Sequence, residues 1–122
     1  MKTISLDNLH ECSLQEVYKF VASHLLIQNK KSLSIRGKCL HKDQDGNRCA
    51  IGCLVGDRAE EFDNYDLIWT DLVRRKNLTD NHQYELGKLQ RIHDSKKVED
   101  WKDELKQFGE EQGLDTNFLG EF

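Results

Sequence analysis

The residues of this sequence whose types could do chemistry are concentrated in one segment, KCLHKDQDGNRCAIGC, which holds Cys39, His41, Cys49 and Cys53. Three thiols and an imidazole form a ligand set that structural zinc sites use. A two-stranded ribbon would bring them together. If its loop is Gln44-Asp45-Gly46, then Asp43 faces Asn47, His41 faces Cys49 and Cys39 faces Ile51. Pleat alternation then places Cys39, His41 and Cys49 on one side, with Cys53 joining them if the strand runs that far. Opposed Cβ atoms sit about 4.5–5.5 Å apart, within reach of one tetrahedral ion. Against zinc, the spacing Cys39-x-His41-x7-Cys49-x3-Cys53 lacks the Cys-x2-Cys knuckles that make zinc signatures specific. Cysteine is also often buried simply as a small hydrophobe. The expectation is therefore no cofactor, with zinc as the alternative.

The same thiols suggest a second chemistry. Cys49-Ala50-Ile51-Gly52-Cys53 reads equally as a strand-to-helix turn, which would expose a sulfur at a helix N-terminus where the macrodipole lowers its pKa. His93 and Asp94 would then be the base and its orienter. Adjacent residues point in different directions on a helix, so Asp94 is expected not to hold the His93 ring as a triad requires. Asp94, or else Ser95, is expected to cap the next helix. His24 reads as a partly buried, satisfied histidine, and Trp69 and Trp101 as core anchors.

Binding through charge is the third possibility. The net charge of −4 is unevenly spread: residues 1–56 carry eight Lys or Arg against five Asp or Glu, and residues 57–122 carry ten against seventeen. Nucleic-acid binders concentrate basic residues in a stripe. Here the candidates are Lys30, Lys31, Arg36, Lys38, Lys42 and Arg48 around the ribbon, and Arg74, Arg75 and Lys76 beyond it. Arg36, Lys38, Lys42 and Arg48 are the candidate binding residues. Solvated surface charge explains them as well, so nucleic acid is not the favoured partner.

The elements that must position these residues follow from periodicity. Ser13-Leu14-Gln15-Glu16 has capping-box spacing, and Leu14, Val17, Tyr18, Val21, Ala22 and Leu25 form one apolar stripe, so a helix is predicted from Leu14 to near Asn29. From Leu33 the period changes to two, and the Asp-Gly turn at Asp45-Gly46 predicts a β-hairpin, which residues 33–36 could extend into a small antiparallel sheet. Three helices are predicted beyond it. Their stripes are Tyr65, Ile68, Trp69, Leu72 and Val73; then Leu86, Leu89 and Ile92; then Val98, Trp101, Leu105 and Phe108 before Gly113. The tail residues Leu114, Phe118 and Leu119 either dock or fray.

Size and composition bound the rest. A chain of 122 residues, 37% hydrophobic and 33% charged, suits one domain over 1–122. No stretch approaches the roughly 18 apolar residues of a membrane span, and MKTISLDNLHEC lacks a secretion signal's apolar core. The expected location is the cytoplasm, where four cysteines are thiols rather than disulfides.

At KCLHKDQDGNRCAIGCLV, followed by LQRIHD and Trp101, the chain resembles small uncharacterised proteins of tailed phages and bacteria. These share a Cys, a turn ending in Asp-Gly, a Lys/Arg-Cys-Ala-aliphatic-Gly-Cys/Ala-Leu run and a downstream His-Asp, over roughly residues 14 to 101. The resemblance implies a phage or prophage accessory gene acting in the host cytoplasm, and alanine at the Cys53 position in similar proteins. No settled activity comes with it. The combined expectation is an α+β domain comprising an N-terminal helix, a β-hairpin and three C-terminal helices. Its expected function is a non-enzymatic binding module for a host protein. The alternatives are a thiol-dependent enzyme using Cys49 or Cys53, or a small zinc-stabilised nucleic-acid-binding domain.

Overall fold

The computed structural model of the protein describes residues 4, 8, 11–31, 47–50, 52–55 and 82–122. The first helix, α1, spans Leu14–Gln28. Ser13 Oγ accepts from the Glu16 amide at 3.1 Å and Glu16 Oε1 accepts from the Ser13 amide at 2.9 Å, the reciprocal capping box that the sequence predicts. Asn29 ends the helix in the left-handed region at φ 53°, its amide donating to the Leu25 carbonyl. Val17, Tyr18, Val21, Ala22 and Leu25 are buried along one face.

The single turn α2 spans Gly52–Val55 and opens with the Cys53 amide donating to the Cys49 carbonyl at 3.1 Å. Next, α3 spans Gln83–Ser95 and buries Leu86, Leu89, Ile92 and His93. After a 3₁₀ turn at Val98–Asp100, α4 spans Trp101–Glu111 and buries Trp101, Leu105, Phe108 and Gly109. It stops at Gly113, whose φ of 70° closes a Schellman motif: Gly113 N–H reaches the Glu110 carbonyl and Leu114 N–H the Gly109 carbonyl. The tail docks, because Leu119 is buried and Leu114 and Phe118 pack against the core.

Helix directions follow from the bonds between elements. His82, at the N-cap of α3, donates from Nε2 to the Cys12 carbonyl just before α1, and Lys31 Nζ reaches the Asp94 carbonyl at the other end. Thus α1 and α3 run parallel. Gln15 exchanges two hydrogen bonds with the backbone of Asp115, and Tyr18 Oη donates to the Leu105 carbonyl at 2.7 Å, so α4 runs antiparallel to α1.

The architecture corrects the α+β expectation. Among the described residues the structure is helical and holds no sheet; Arg48 is an isolated bridge position. Residues 52–55, read as a possible continuation of a β-strand, form a helical turn instead. Alternation over so short an apolar run does not distinguish strand from helix, and the Cys49 carbonyl finds its donor four residues ahead rather than across a ladder. The turn at Asp45-Gly46 and the helix predicted over Tyr65–Val73 lie outside the described residues.

Candidate functional site

The chemistry-bearing residues that are described converge where α1, residues 47–50, α2 and α3 meet. The entering strand-like residue is held by a side chain acting as a backbone edge. Arg48 N–H donates to Gln28 Oε1 at 2.7 Å, and the Arg48 carbonyl accepts from Gln28 Nε2 at 2.9 Å. His24 Nε2 lies 2.8 Å from the same carbonyl. A carbonyl only accepts, so that nitrogen carries the hydrogen. Burial makes His24 harder to protonate than a free histidine; the bond to the Arg48 carbonyl opposes this, while the charges of Arg48 and His93 add to it.

Cys49 and Ala50 then enter the core, 1% and 0% exposed. Cys53 Sγ donates to the Ala50 carbonyl at 3.0 Å, and burial pushes its thiol pKa far up, with Cys49 adding to the rise. A nucleophilic cysteine needs the opposite shift, since the thiolate is the reactive form. The helix-terminal turn read from Cys49 to Cys53 is therefore present, but it buries its sulfurs instead of exposing one.

His93 is fully buried, and its ring stacks on Trp101 with centroids 5.5 Å apart and planes 30° apart. Its Nδ1 lies 2.7 Å from Asp94 Oδ1, which also accepts from Gln90 Nε2 at 2.7 Å. This overturns the expectation that Asp94 cannot hold the His93 ring. Nδ1 is the ring nitrogen nearer the backbone, so a short carboxylate one residue on can swing round to meet it. Asp94 sits within the last turn of α3, and Lys97 occupies the N-cap of the following 3₁₀ turn, so neither Asp94 nor Ser95 caps it.

The other candidate residues are only partly placed. Arg48 is half-buried, its backbone pinned to α1, while Arg36, Lys38 and Lys42 lie outside the described residues. Of the possible metal ligands, Cys49 and Cys53 are described, and Cys39 and His41 lie outside. The helical turn at Gly52–Val55 removes the strand register on which Cys53 was to join the other three. Among the described residues, no group of three or more His, Cys, Asp or Glu is arranged to hold a metal ion. No helix among them is long and apolar enough to cross a membrane.

Two features were not singled out from the sequence. Gln28 is an ordinary polar residue in the run that ends α1, and nothing in its type announces a clamp. Gly109 did carry a signal: a glycine inside a helical stripe costs stability unless packing requires it. Tyr18 Oη and Thr116 occupy the space where a side chain would go.

The exposed surface is acidic at the C-terminal end. Glu99, Asp100, Asp103, Glu110, Glu111, Asp115 and Glu121 all face solvent, interspersed with Lys102 and Lys106. The exposed apolar residues Ile27 and Tyr84 fall near opposite ends of the parallel pair α1 and α3, so they do not form one patch. Comparison of the chain with protein families, with curated proteins and with solved structures finds no match.

Proposed function

We propose that this chain is a non-enzymatic protein-binding module whose acidic C-terminal surface meets a basic partner. The observation that carries the reading is the exposure of seven carboxylates on and around α4, while Cys49 and His93 are buried and Cys53 is half-buried with its thiol bonded to the Ala50 carbonyl. Excess negative charge speeds encounter with a positive surface and sets specificity more than affinity. The resemblance to small phage and bacterial proteins makes a bacterial host protein the expected partner.

The test is capture from host lysate by the tagged chain, quantified by mass spectrometry, with Asp103→Asn/Glu110→Gln/Glu111→Gln as comparison. A partner enriched by the wild type should be lost with the triple variant. It should also be released as salt rises past the point where screening shortens to about 8 Å. Retention that ignores both changes refutes the acidic-surface reading.

The His93–Asp94 contact favours a second reading, a thiol-dependent enzyme in which that pair serves Cys49 or Cys53. Rapid alkylation of either thiol in the folded protein near neutral pH would support it. Reaction only on unfolding would remove it.

A further inference from the structure

Residues 114–122 are fastened to the helices by side chains and tethered by one turn. Their own backbone bonds are local: Leu119 N–H donates to the Thr116 carbonyl, Phe122 N–H to the Leu119 carbonyl, and Asn117 N–H to Asp115 Oδ1. Towards α1, the Gln15 amide bonds twice to the Asp115 backbone, the Tyr18 ring meets Phe118 edge-on at 5.4 Å, and Lys19 Nζ lies 5.9 Å over the Phe118 ring. Towards α4, Thr116 lies against Gly109 and Lys102 Nζ meets the Phe122 main-chain oxygen. Leu119 is the buried anchor. Every one of these contacts joins a residue beyond 113 to one in α1 or α4, so a second copy of the chain can supply the same surface.

The tether is Gly113, held in the left-handed region at φ 70°. There Gly113 N–H donates to the Glu110 carbonyl and Leu114 N–H to the Gly109 carbonyl. With Gly113 turned to helical φ, the same two donors would reach the Gly109 and Glu110 carbonyls by the ordinary four-residue rule. The turn thus opens into a longer α4 with its hydrogen bonds exchanged rather than lost. Glycine occupies both regions at nearly equal cost. No atom of the described residues lies within 4 Å of a Cβ built at 113, so backbone conformation alone decides which residue suits the closed turn.

We propose that residues 114–122 exchange between two copies of this chain about a hinge at Gly113, so that the surface formed by Gln15, Tyr18, Lys19 and Gly109 is a homodimer interface whose occupant is the partner copy's tail. Exchanging an identical element costs little, because the closed and exchanged forms share their contacts. The two forms differ in the hinge conformation and in association itself. Concentration therefore favours the dimer, as does anything that disfavours positive φ at 113.

Gly113→Ala separates the two forms, since alanine is strained in the left-handed region and favours the continued helix. By analytical ultracentrifugation of the full chain, its dimer should be tighter than the wild type's by about a hundredfold, roughly tenfold for each of the two hinges. Gly113→Asn should behave like the wild type, because asparagine tolerates the left-handed region, as Asn29 does at φ 53°. Exchange itself is read by isotope-filtered NOE spectroscopy on Gly113→Ala dimers refolded from equal amounts of labelled and unlabelled chain. The Tyr18 and Phe118 rings should then show contacts between a labelled and an unlabelled copy. If Gly113→Ala does not fold, the same NOE measurement on wild-type chain refolded at high concentration decides: an interchain contact supports the exchange, and the absence of any dimer overturns it. A Gly113→Ala chain that stays monomeric at every concentration, a Gly113→Asn chain that dimerises as strongly, or a dimer whose Tyr18–Phe118 contact stays within one copy also overturns it.

Discussion

Gly109→Ala is expected to destabilise the protein although it improves helix propensity. An added Cβ would lie 2.5 Å from Thr116 Cγ2, 2.6 Å from Tyr18 Oη and 2.9 Å from Tyr18 Cζ, closer than such contacts occur. Tyr18 has no room to yield. It is fully buried, its hydroxyl is bonded to the Leu105 carbonyl at 2.7 Å, and its ring packs on Phe108 and Phe118 with centroids 5.6 and 5.4 Å away. Overpacking of this kind costs about 1–3 kcal/mol, and displacing the hydroxyl forfeits a buried hydrogen bond worth about 1 kcal/mol. Against this stands a propensity gain of roughly 0.5–1 kcal/mol. The net expectation is a loss of about 1–3 kcal/mol. Gly87, inside α3, has no atom of the described residues within 4 Å of such a Cβ, so Gly87→Ala should show the propensity gain alone. Urea unfolding followed by circular dichroism reads both, as midpoint shifts in opposite directions at constant slope. Adding Tyr18→Phe to Gly109→Ala should recover part of the loss, since one colliding atom is gone, making the pair non-additive. Gly109→Ala as stable as the wild type would refute the packing argument.

Burial raises the Tyr18 pKa from 10.0 to about 12, with the Glu110 and Asp115 carboxylates adding to it. The folded state thus holds that proton more tightly, and the associated stability is present below pH 10 and lost as pH rises toward 12. Stability measured across pH 9–11.5 should fall by a component of about 2 kcal/mol that Tyr18→Phe lacks. Ser13→Ala removes one half of the α1 capping box and should cost about 1 kcal/mol in the same urea assay, with no change in slope. Protein purified without added metal should carry near-zero zinc by elemental analysis, and a chelator should leave its melting temperature unchanged; one equivalent of zinc would reinstate the Cys39, His41, Cys49 and Cys53 site.

What could be read from the sequence was what a single helix decides for itself. The capping box at Ser13, the Val17–Leu25 stripe, the Trp101–Leu105–Phe108 stripe and the Gly113 stop all stand as expected, because each depends on local spacing and backbone chemistry. Whether the Cys49–Cys53 run continued a strand or turned into a helix stayed open, because small and apolar residues over five positions fit both periods; at Gly52–Val55 the chain takes the helix. The candidate site was less legible still. Gln28 and Arg48 stand 20 residues apart, and His24 reaches Arg48 across 24, so the clamp exists only once the chain has folded back on itself. His93 and Asp94 were singled out correctly as a pair, but an argument from Cβ directions missed the reach of Nδ1 toward the backbone.

The two bonds between Gln15 and Asp115 join residues 100 positions apart. On a ribosome extending by about 5–20 residues per second, α1 is made roughly 5–20 s before the residues that close over it. In that interval Val17, Tyr18 and Val21 have no Leu105, Phe108 or Leu119 to pack against, so the newborn helix presents its core face to the cell. Nascent-chain chaperones that bind apolar helical stripes would meet this chain at its first helix, and would let go only when α4 and the tail emerge.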